Sequence, residues 1–392
     1  MTDVVIAGAA RTAIGSYGRS LKDVPPSDLG ATAAKAAIER ARIEPDDVGH
    51  VVFGNVIHTE PGDMYMARVV GMKSGIPQVT PAYTVNRLCG TGVQAIVSAA
   101  QTIQTGEADV ALAGGAESMS RGQYWISGAR WGARMGDSPL VDAVVGALTD
   151  PFDKDHMGIT AERLAERGGI SRERQDAFAA ESHRRAAQAR AEGRFADQIV
   201  PVEIPSKRET KRFDADEHIR EEIDAAAMGK LKPAFKGDGT VTAGNASGLN
   251  DAGAAVVLMS AKEAERRGAP VLGRILAYAS CGVDPRIMGI GPVPATRTVL
   301  ERAGRSLDEV GVIELNEAFA AQALAVIDEL GLDEAKVNPN GGAIALGHPV
   351  AATGAAITVK LLAEMERGDH ELGLATLCIG GGQGIALLVG RG

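Results

Sequence analysis

The chain alternates between short apolar runs and longer stretches in which apolar residues recur every three or four positions. Residues 4–7 and 51–53 are continuous apolar runs, a pattern typical of buried strands. Between them, we expect a helix that is capped by Asp28 and covers residues 31–41. Strands and helices in alternation predict a mostly parallel sheet with helices outside it.

The stretch from residue 84 to residue 113 adds a reactive side chain to this pattern. A short β-branched run leads into Cys89, and apolar residues then recur at helical spacing from Val93 to Ile103, before Gly106. The thiol of Cys89 is therefore expected in the first turn of a helix. Free backbone N–H groups and the helix dipole at that end favour a thiolate.

A helix terminus alone does not ionise a cysteine at neutral pH. It contributes about 0.3 to 1 kcal/mol, whereas half-ionisation requires about 2 kcal/mol. We therefore expect a partner base elsewhere in the chain. The alternative, a cysteine that packs as a small buried apolar residue, is the more common role for an arbitrary cysteine.

The same succession of elements occurs a second time after residue 271. The strand 51–53 ends at Asn55 and precedes Cys89, and the strand 312–315 ends at Asn316 and precedes His348 at nearly the same interval. The strand 110–113 is expected to end at Gly114 and Gly115, and the run 374–378 leads into Gly380, Gly381 and Gly382. Two copies of one α/β unit would place Cys89 and His348 at corresponding turns across a pseudo-twofold axis.

The segment between the two copies differs in composition. It contains a long charged stretch for which we expect a helix that begins after Ser171 and ends before Gly193. It also contains a group of basic residues: Lys207, Arg208, Lys211, Arg212 and Arg220. We interpret it as an insertion that covers a site built by the two copies, although most of its charges also fit an ordinary solvated surface.

These observations divide the chain into three parts. Residues 1–118 with 250–270 form the N-terminal half, 119–249 form the insertion, and 271–392 form the C-terminal half.

The bulk properties exclude several classes of protein. The chain has 392 residues, of which 45% are hydrophobic, and a net charge of -9, which argues against binding to nucleic acid. Its three scattered cysteines do not form a disulfide framework and favour a reducing compartment. No stretch resembles a signal peptide or a membrane span, so we expect a cytoplasmic protein that does not bind membranes.

His348 and Cys378 are the candidates for the partners of Cys89. His348 lies in a glycine-rich turn before a helix and is the candidate base, although a lone histidine is more often structural. Cys378 ends an apolar run and is a candidate second acid or base, although in isolation it would be assigned to the core. The glycines that follow it lead into a second apolar strand instead of a helix, which excludes a dinucleotide-binding turn.

Asn316 follows a strand and has two interpretations. It could cap the next helix, which is the favoured interpretation from the residue alone, or orient a water and a developing oxyanion. Two thiols, a histidine and an asparagine on separate turns fit neither a zinc site nor a serine hydrolase.

Six motifs in this order resemble the thiolase family, in particular its acetyl-CoA acetyltransferase and β-ketothiolase branch. They are NRLCGTGVQAI, HMGITAE, GNASGLNDAGAA, NEAFAAQ, GGAIALGHP and LCIGGGQG. The resemblance covers essentially the whole chain. It implies a duplicated five-layered αβαβα core with an inserted loop domain, and reversible Claisen condensation of two acetyl-CoA molecules to acetoacetyl-CoA and CoA.

The resemblance also implies the role of each residue. Cys89 would carry the acyl group, His348 would activate it, and Cys378 would remove the α-proton of the second acetyl-CoA. Asn316, through a water, and His348 would hold the enolate oxygen, while the backbone N–H groups of Cys89 and Gly380 would hold the tetrahedral intermediate.

The resemblance further implies a binding site for coenzyme A and a homotetramer built from dimers. Coenzyme A thioesters would be substrates, with no metal and no further cofactor. The expected contacts to coenzyme A are Ser247, His156, Met157, Arg220, Phe235, Ala243, Met288, Ala318 and Phe319.

Two departures from the family pattern lie close to His348. Ala351 stands where glycine is usual, and Thr353 stands where serine is frequent. They leave the acyl-length preference open, so that cleavage of longer 3-ketoacyl-CoA is the close alternative to acetoacetyl-CoA.

A condensing enzyme for carrier-protein thioesters would be expected to have histidine or asparagine at Cys378. A non-catalytic protein that binds acyl-CoA or senses thiols is the alternative of another class.

Overall fold

A computed structural model describes residues 2–205 and 209–392. Lys207 and Arg208 of the predicted basic group lie outside the described residues. The strands are β1 (Val4–Thr12), β2 (Gly15–Ser16), β3 (His50–Gly54), β4 (Ala82–Val85), β5 (Val110–Ser118), β6 (Tyr124–Ile126), β7 (Leu140–Asp142), β8 (Ile199–Val200), β9 (Val202–Ile204), β10 (Lys211–Phe213), β11 (Asn250–Ser260), β12 (Gly273–Gly282), β13 (Val312–Leu315), β14 (Leu372–Ile379) and β15 (Gln383–Arg391).

The α-helices of the described chain lie between these strands. They are α1 (Pro26–Arg40), α2 (Met66–Lys73), α3 (Thr91–Gln104), α4 (Ala143–Ala147), α5 (Met157–Gly168), α6 (Arg172–Ala191), α7 (Ala225–Gly229), α8 (Ala261–Arg267), α9 (Pro292–Ala303), α10 (Ala320–Leu330), α11 (Ala343–Leu346) and α12 (Val350–Arg367). None of these helices has both the length and the apolar character needed to cross a membrane.

The strand pairing repeats within the molecule. In the N-terminal half β3 is parallel to β5, which is antiparallel to β11, which is antiparallel to β1. In the C-terminal half β13 is parallel to β14, which is antiparallel to β15, which is antiparallel to β12. The two series meet where β1 pairs briefly with β12, at Val5 with Arg274 and Ile6 with Gly273. The prediction of a mostly parallel sheet is therefore wrong. Antiparallel pairs occur within each half, and an antiparallel pair also joins the two halves.

The hydrophobic clusters define five layers. One cluster joins α1 and α2 to the outer face of the N-terminal strands. A second encloses α3 and α12 between the strands of both halves. A third joins α9 and α10 to the C-terminal strands. The αβαβα order follows, with α3 and α12 as the central layer.

Glycines allow the two central helices to touch through their backbones. A Cβ atom at Gly92 of α3 would overlap the backbone nitrogen of Ala355, and one at Gly354 of α12 would overlap the backbone nitrogen of Val93. Gly115 of β5 is equally close to the carbonyl oxygen of Ala351. Because hydrogen is the only side chain that fits at these contacts, the glycines set the distance between the two helices.

Local sequence signals were accurate for several elements. The helix expected after Ser171 is confirmed as α6, and the Ser171 side chain accepts a hydrogen bond from the N–H of Arg174 at 3.2 Å. The hairpin expected around the glycines after Cys378 is confirmed, with Ile379 opposite Gln383.

Two boundary predictions were wrong. Asp28 lies inside the first turn of α1, which begins at Pro26 after the uncapped Pro25. Strand β5 continues to Ser118, because Gly114 lies against the ring of Phe53 and does not make a turn. The three-part division of the chain at residues 118, 249 and 270 stays a prediction.

We predict that Gly92→Ala destabilises the protein. The added methyl must force α3 and α12 apart, and overpacking of this kind costs about 1 to 3 kcal/mol. Equilibrium unfolding in urea measures this loss. The matched control is Gly71→Ala in α2, where the nearest atom to an added Cβ is Val51 Cγ2 at 3.4 Å, so that stability should not fall. Equal stability of the two variants would contradict the packing argument.

Candidate active site

A strained turn presents Cys89 at the start of α3. Leu88, directly before it, has φ of 46°, in the left-handed region that non-glycine residues rarely adopt. Two hydrogen bonds hold this conformation: the N–H of Leu88 donates to Asn86 Oδ1 at 3.0 Å, and the N–H of Arg87 donates to Thr91 Oγ1 at 2.8 Å. The position of the thiol is thus fixed by the backbone on both sides.

Burial dominates the ionisation of Cys89. It raises the pKa of the thiol to about 11, although the N–H of Gly380 and the N–H of Cys89 itself both favour the thiolate. Desolvation thus outweighs the two donors, and the thiol is not ionised by the helix terminus alone, as the sequence analysis expected. Part of the Cys89 side chain remains exposed, so a substrate can reach it.

Cys378 lies opposite this turn, near the tip of the β14–β15 hairpin. It is completely buried, and burial raises the pKa of its thiol well above the ordinary value; the nearby Cys89 raises it further. A Cβ atom at Gly380 would lie 3.4 Å from both Leu88 Cδ1 and Met157 Sδ, so the hairpin tip packs directly on the Cys89 turn. The structure thus brings Cys89, Cys378 and Gly380 together.

His348 precedes α12, and its ring contacts the hydroxyl of Thr353. Thr353 Oγ1 donates to the carbonyl oxygen of Pro349 at 2.9 Å and lies 2.7 Å from His348 Nδ1. A hydroxyl has one hydrogen, and when that hydrogen is directed at Pro349 the Thr353 oxygen accepts from His348 Nδ1, so this arrangement favours the tautomer protonated at Nδ1. This leaves the lone pair on Nε2. Burial lowers the pKa of His348 to about 4, so the ring is neutral and able to accept a proton at neutral pH.

The His348 turn reaches the Cys89 turn through two contacts. Cys89 packs against a cluster that contains Val350, two residues after His348. The carboxylate of Glu117 accepts a hydrogen bond from the N–H of Ala351 at 2.9 Å, and its charge acts on the Cys89 thiol. Within the described residues, Nε2 of His348 is buried without a hydrogen-bond partner.

Asn316 does not cap a helix. It follows β13, its N–H donates to the carbonyl oxygen of Thr376 at 3.0 Å, and α10 begins four residues later at Ala320 after Phe319, with no side-chain cap. Both polar side-chain atoms of Asn316 are buried, and neither has a partner in the described part of the chain. The interpretation as a cap is wrong. Asn316 directly follows Leu315, which pairs with Thr376, two residues before Cys378.

An apolar group of the predicted coenzyme A residues adjoins Cys378. Met157, Met288, Ala318 and Phe319 belong to the same buried cluster as Cys378, and Phe235 packs on it. The rings of His156 and Phe235 stack at 4.7 Å between centroids, and the rings of Phe235 and Phe319 meet edge to face at 6.0 Å. Phe235 therefore joins the start of α5 to Phe319. We call this group the apolar wall, and it reaches the hairpin tip beside Cys378 where Met157 lies against Gly380.

The other predicted contacts lie at different distances from this wall. The N–H of Ser247 donates to the carbonyl oxygen of Ala318 at 3.0 Å, which places Ser247 beside it. Ala243 is exposed in a turn, and the following residue, Gly244, lies against Leu231. Arg220 is also exposed and lines a separate cavity of about 480 Å³ with Leu249, a residue that packs on the Cys89 cluster.

Sequence reasoning missed two buried polar residues near His348, Glu117 and Asn250. Both are completely buried, and both form hydrogen bonds with the backbone around His348. A charged residue inside the otherwise apolar β5 was the signal for Glu117. Asn250 lies within one of the six motifs, without a role attached to it.

This duplicated fold, with a cysteine and a histidine at corresponding helix starts, is that of an acyltransferase. The chain belongs to the thiolase family: residues 4–262 match the family's domain described as Thiolase, N-terminal domain, and residues 269–391 match Thiolase, C-terminal domain.

Similar proteins cover the full chain. Beta-ketothiolase BktB of Cupriavidus necator is 59% identical over 99% of each chain, and an acetyl-CoA acetyltransferase of Pseudomonas aeruginosa is 52% identical over 100% of each. Among solved structures, the Bacillus anthracis acetyl-CoA acetyltransferase has a TM-score of 0.98 and 46% identity, covering 100% of this chain and 99% of its own. Human mitochondrial 3-ketoacyl-CoA thiolase in complex with CoA has a TM-score of 0.97 and 44% identity, covering 100% and 98%.

We predict that Thr353→Val slows acylation of Cys89 by about 10- to 100-fold, because His348 loses the acceptor that fixes its tautomer. Thr353→Ser keeps the hydroxyl and should retain the wild-type rate. Thr358→Val is the matched control, since Thr358 makes the same bond one turn later, to the carbonyl oxygen of Gly354 at 2.8 Å. Acylation is followed by mass spectrometry of the acetylated peptide. Similar rates for the two valine variants would show that the hydroxyl does not set the tautomer.

Proposed function

We propose that this protein is an acetyl-CoA C-acetyltransferase that converts two acetyl-CoA molecules to acetoacetyl-CoA and CoA, and catalyses the reverse cleavage. The observation that carries the proposal is the pairing of a partly exposed cysteine, Cys89, with a completely buried one, Cys378. One thiol can carry an acyl group while the other moves protons. The relatives named for this activity match the chain from end to end.

The first half of the proposed reaction acylates Cys89. Its sulfur attacks the thioester carbonyl of acetyl-CoA, and its proton passes to Nε2 of the neutral His348. The carbon–sulfur bond to CoA then breaks, and the CoA thiolate takes the proton of Cys378. CoA leaves as a thiol, Cys89 carries the acetyl group, and Cys378 is now a thiolate.

The second half uses the base formed in the first. The Cys378 thiolate removes an α-proton from the second acetyl-CoA, and the resulting enolate attacks the acetyl group on Cys89. The new carbon–carbon bond forms as the Cys89–acyl bond breaks, and protonated His348 returns its proton to Cys89. The raised pKa of Cys378 fits this order, because a thiol of high pKa is a strong base once the cycle has ionised it.

Two groups of donors support the oxyanions. The N–H groups of Gly380 and Cys89 converge on the Cys89 sulfur. They are assigned to the carbonyl oxygen of the thioester, which becomes the tetrahedral oxyanion when the sulfur attacks. Nε2 of His348 and the amide of Asn316 carry free hydrogen-bonding capacity and are assigned to the enolate oxygen, Asn316 through a water. One such donor is worth about 3 to 4 kcal/mol in measured oxyanion holes. The chemistry uses side chains and backbone groups alone, with coenzyme A thioesters as substrates.

The coenzyme A arm is assigned to the apolar wall that ends at Cys378. Met157, Met288 and Phe319 would contact the pantetheine chain, and Ser247 beside Ala318 would bond its amides. Arg220 is assigned to the nucleotide end because its cavity lies towards the exposed surface. Cleavage of longer 3-ketoacyl-CoA is the second candidate, favoured by the 59% identity to a β-ketothiolase.

Two exposed apolar surfaces support a homotetramer assembled from dimers. Strand β4 is one of the two edges of the main sheet and carries the exposed Tyr83. Strand β6 and the loop between β6 and β7 expose Trp125 and Trp131, and Trp131 is 82% exposed. Two separate surfaces can build two kinds of interface. The free cysteines fit a reducing compartment such as the cytoplasm.

We predict that Cys89→Ala abolishes acylation, whereas Cys378→Ala is acetylated by acetyl-CoA but does not condense it. The test combines mass spectrometry of the acetylated protein with the fall in enolate absorbance of acetoacetyl-CoA on addition of CoA. Acetyl-enzyme in Cys89→Ala, or no cleavage by the wild type at saturating substrate, would overturn the proposal. Rates across 3-ketoacyl chain lengths decide between the two candidate substrates.

We also predict that Trp125→Ser combined with Trp131→Ser reduces the assembly from four subunits to two, because it removes the apolar surface of one interface only. Light scattering coupled to gel filtration gives the mass. Tyr83→Lys at the β4 edge is the complementary variant and should affect the other interface. A monomeric wild type would contradict the assignment of both surfaces.

A further inference from the structure

The internal repeat extends to the residues that follow paired strands. In the N-terminal half Gly54 pairs with Gly115, and Glu117 follows two residues later. In the C-terminal half Leu315 pairs with Thr376, and Cys378 follows two residues later. Glu117 is therefore the counterpart of Cys378 across the pseudo-twofold axis. By the same register, Asn55 is the counterpart of Asn316.

Glu117 is completely buried and is surrounded by hydrogen-bond donors. Its Oε1 accepts from Asn55 Nδ2 at 3.0 Å and from the N–H of Ile57 at 3.0 Å. Its Oε2 accepts from the N–H of Ala351 at 2.9 Å. A carboxylate accepts at both oxygens, so the ionised side chain satisfies all of these donors.

The contact with Ala351 acts on the helix that carries the His348 turn. Ala351 lies in the first turn of α12, where backbone N–H groups have no partner inside the helix. A carboxylate at this end satisfies one donor and is attracted by the helix dipole. A residue of the N-terminal half thereby holds the start of a C-terminal helix.

Asn250 makes a second contact from the same half. Its Oδ1 accepts from the N–H of His348 at 2.9 Å, while its Nδ2 donates to the carbonyl oxygen of Gly15 at 3.1 Å. Gly347, with φ of 111°, packs so closely on the Asn250 amide that only glycine fits there. Strand β11, which begins at Asn250, pairs with β5, which carries Glu117, so both side chains project from one strand pair.

We propose that Glu117 and Asn250 are positioning residues that hold the His348 turn in register with Cys89 from the opposite half of the molecule. The proposal rests on the proposed function, since it assigns them to the histidine that activates Cys89. Thr353 orients the ring from within the C-terminal half, whereas these two residues fix the backbone that carries it. Displacement of a catalytic group by about 1 Å can cost about 100-fold in rate.

The substitution Glu117→Gln isolates the contact with the His348 turn. The glutamine oxygen can replace Oε1, which accepts from two donors, but its NH₂ group then faces the N–H of Ala351. Two donors face each other, and the hydrogen bond to α12 is lost. The substitution also removes a negative charge near Cys89, which favours the Cys89 thiolate. This electrostatic effect would speed acetylation, whereas the lost hydrogen bond would slow it.

The measurement is single-turnover acetylation of Cys89 by acetyl-CoA, in Cys378→Ala protein that stops at the acyl-enzyme. It is made at pH 9, because burial raises the pKa of Glu117 to about 8 and the parent side chain must be ionised. Four proteins form a double-mutant cycle: the parent, Glu117→Gln, His348→Ala and the combination. Glu364→Gln is the matched control, a buried carboxylate in α12 that binds Asn340 Nδ2.

We expect Glu117→Gln to slow acetylation about 10- to 100-fold. The acetyl-CoA concentration that gives half of the maximal rate should stay within about threefold of the parent value. In the His348→Ala background the same change should leave the rate unaltered or slightly faster. Glu364→Gln should react at the parent rate. If Glu117→Gln does not fold, Asn250→Ala replaces it in the cycle with the same expectations.

The outcomes separate the two proposals. No acetylation of the parent overturns the proposed function and this inference together. Acetylation of the parent with an unchanged or faster rate in Glu117→Gln overturns the inference alone. An equal loss in the presence and absence of His348 overturns it as well, because Glu117 would then act on the fold and not through the histidine.

Discussion

The site depends on the direct backbone contact between helices α3 and α12. Each helix begins immediately after a turn that carries a candidate catalytic residue, Cys89 in one case and His348 in the other. Gly92 and Gly354 let the two helices approach until their backbones touch. The separation of the turns is thus set by packing in the core and does not depend on mobile surface loops.

Burial then determines the resting protonation states. Desolvation raises the pKa of both thiols and lowers that of His348, so all three groups are uncharged at neutral pH. An uncharged set avoids the free-energy cost of isolated ions in a site of low polarity. In the proposed mechanism, charges arise only as protons move from Cys89 to His348 and from Cys378 to CoA, which would tie the reactivity of each group to the arrival of substrate.

Sequence reasoning predicted the elements that local patterns determine. The helix after Cys89, the Ser171 cap and the hairpin after Cys378 follow from periodicity, capping residues and glycine clusters, and the repeat was visible as two similar successions of elements. Strand direction was not predictable, because antiparallel pairing of β1, β5 and β11 joins segments far apart in the chain. Gly114 suggested a turn because a strand glycine that admits a neighbouring ring has the same sequence signal.

The duplication explains why the unpredicted residues are polar and buried. The same strand register places Asn55 and Glu117 in one half and Asn316 and Cys378 in the other. In the first pair, the Asn55 amide and backbone N–H groups donate to the carboxylate, which stabilises the scaffold. In the second pair, neither side-chain polar atom of Asn316 has a partner in the described part of the protein. Among the described residues, Asn55 lacks a partner only at Oδ1, whereas Asn316 lacks one at both side-chain atoms. The second copy therefore keeps more hydrogen-bonding capacity available, in line with the role proposed for Asn316 towards a reacting oxygen.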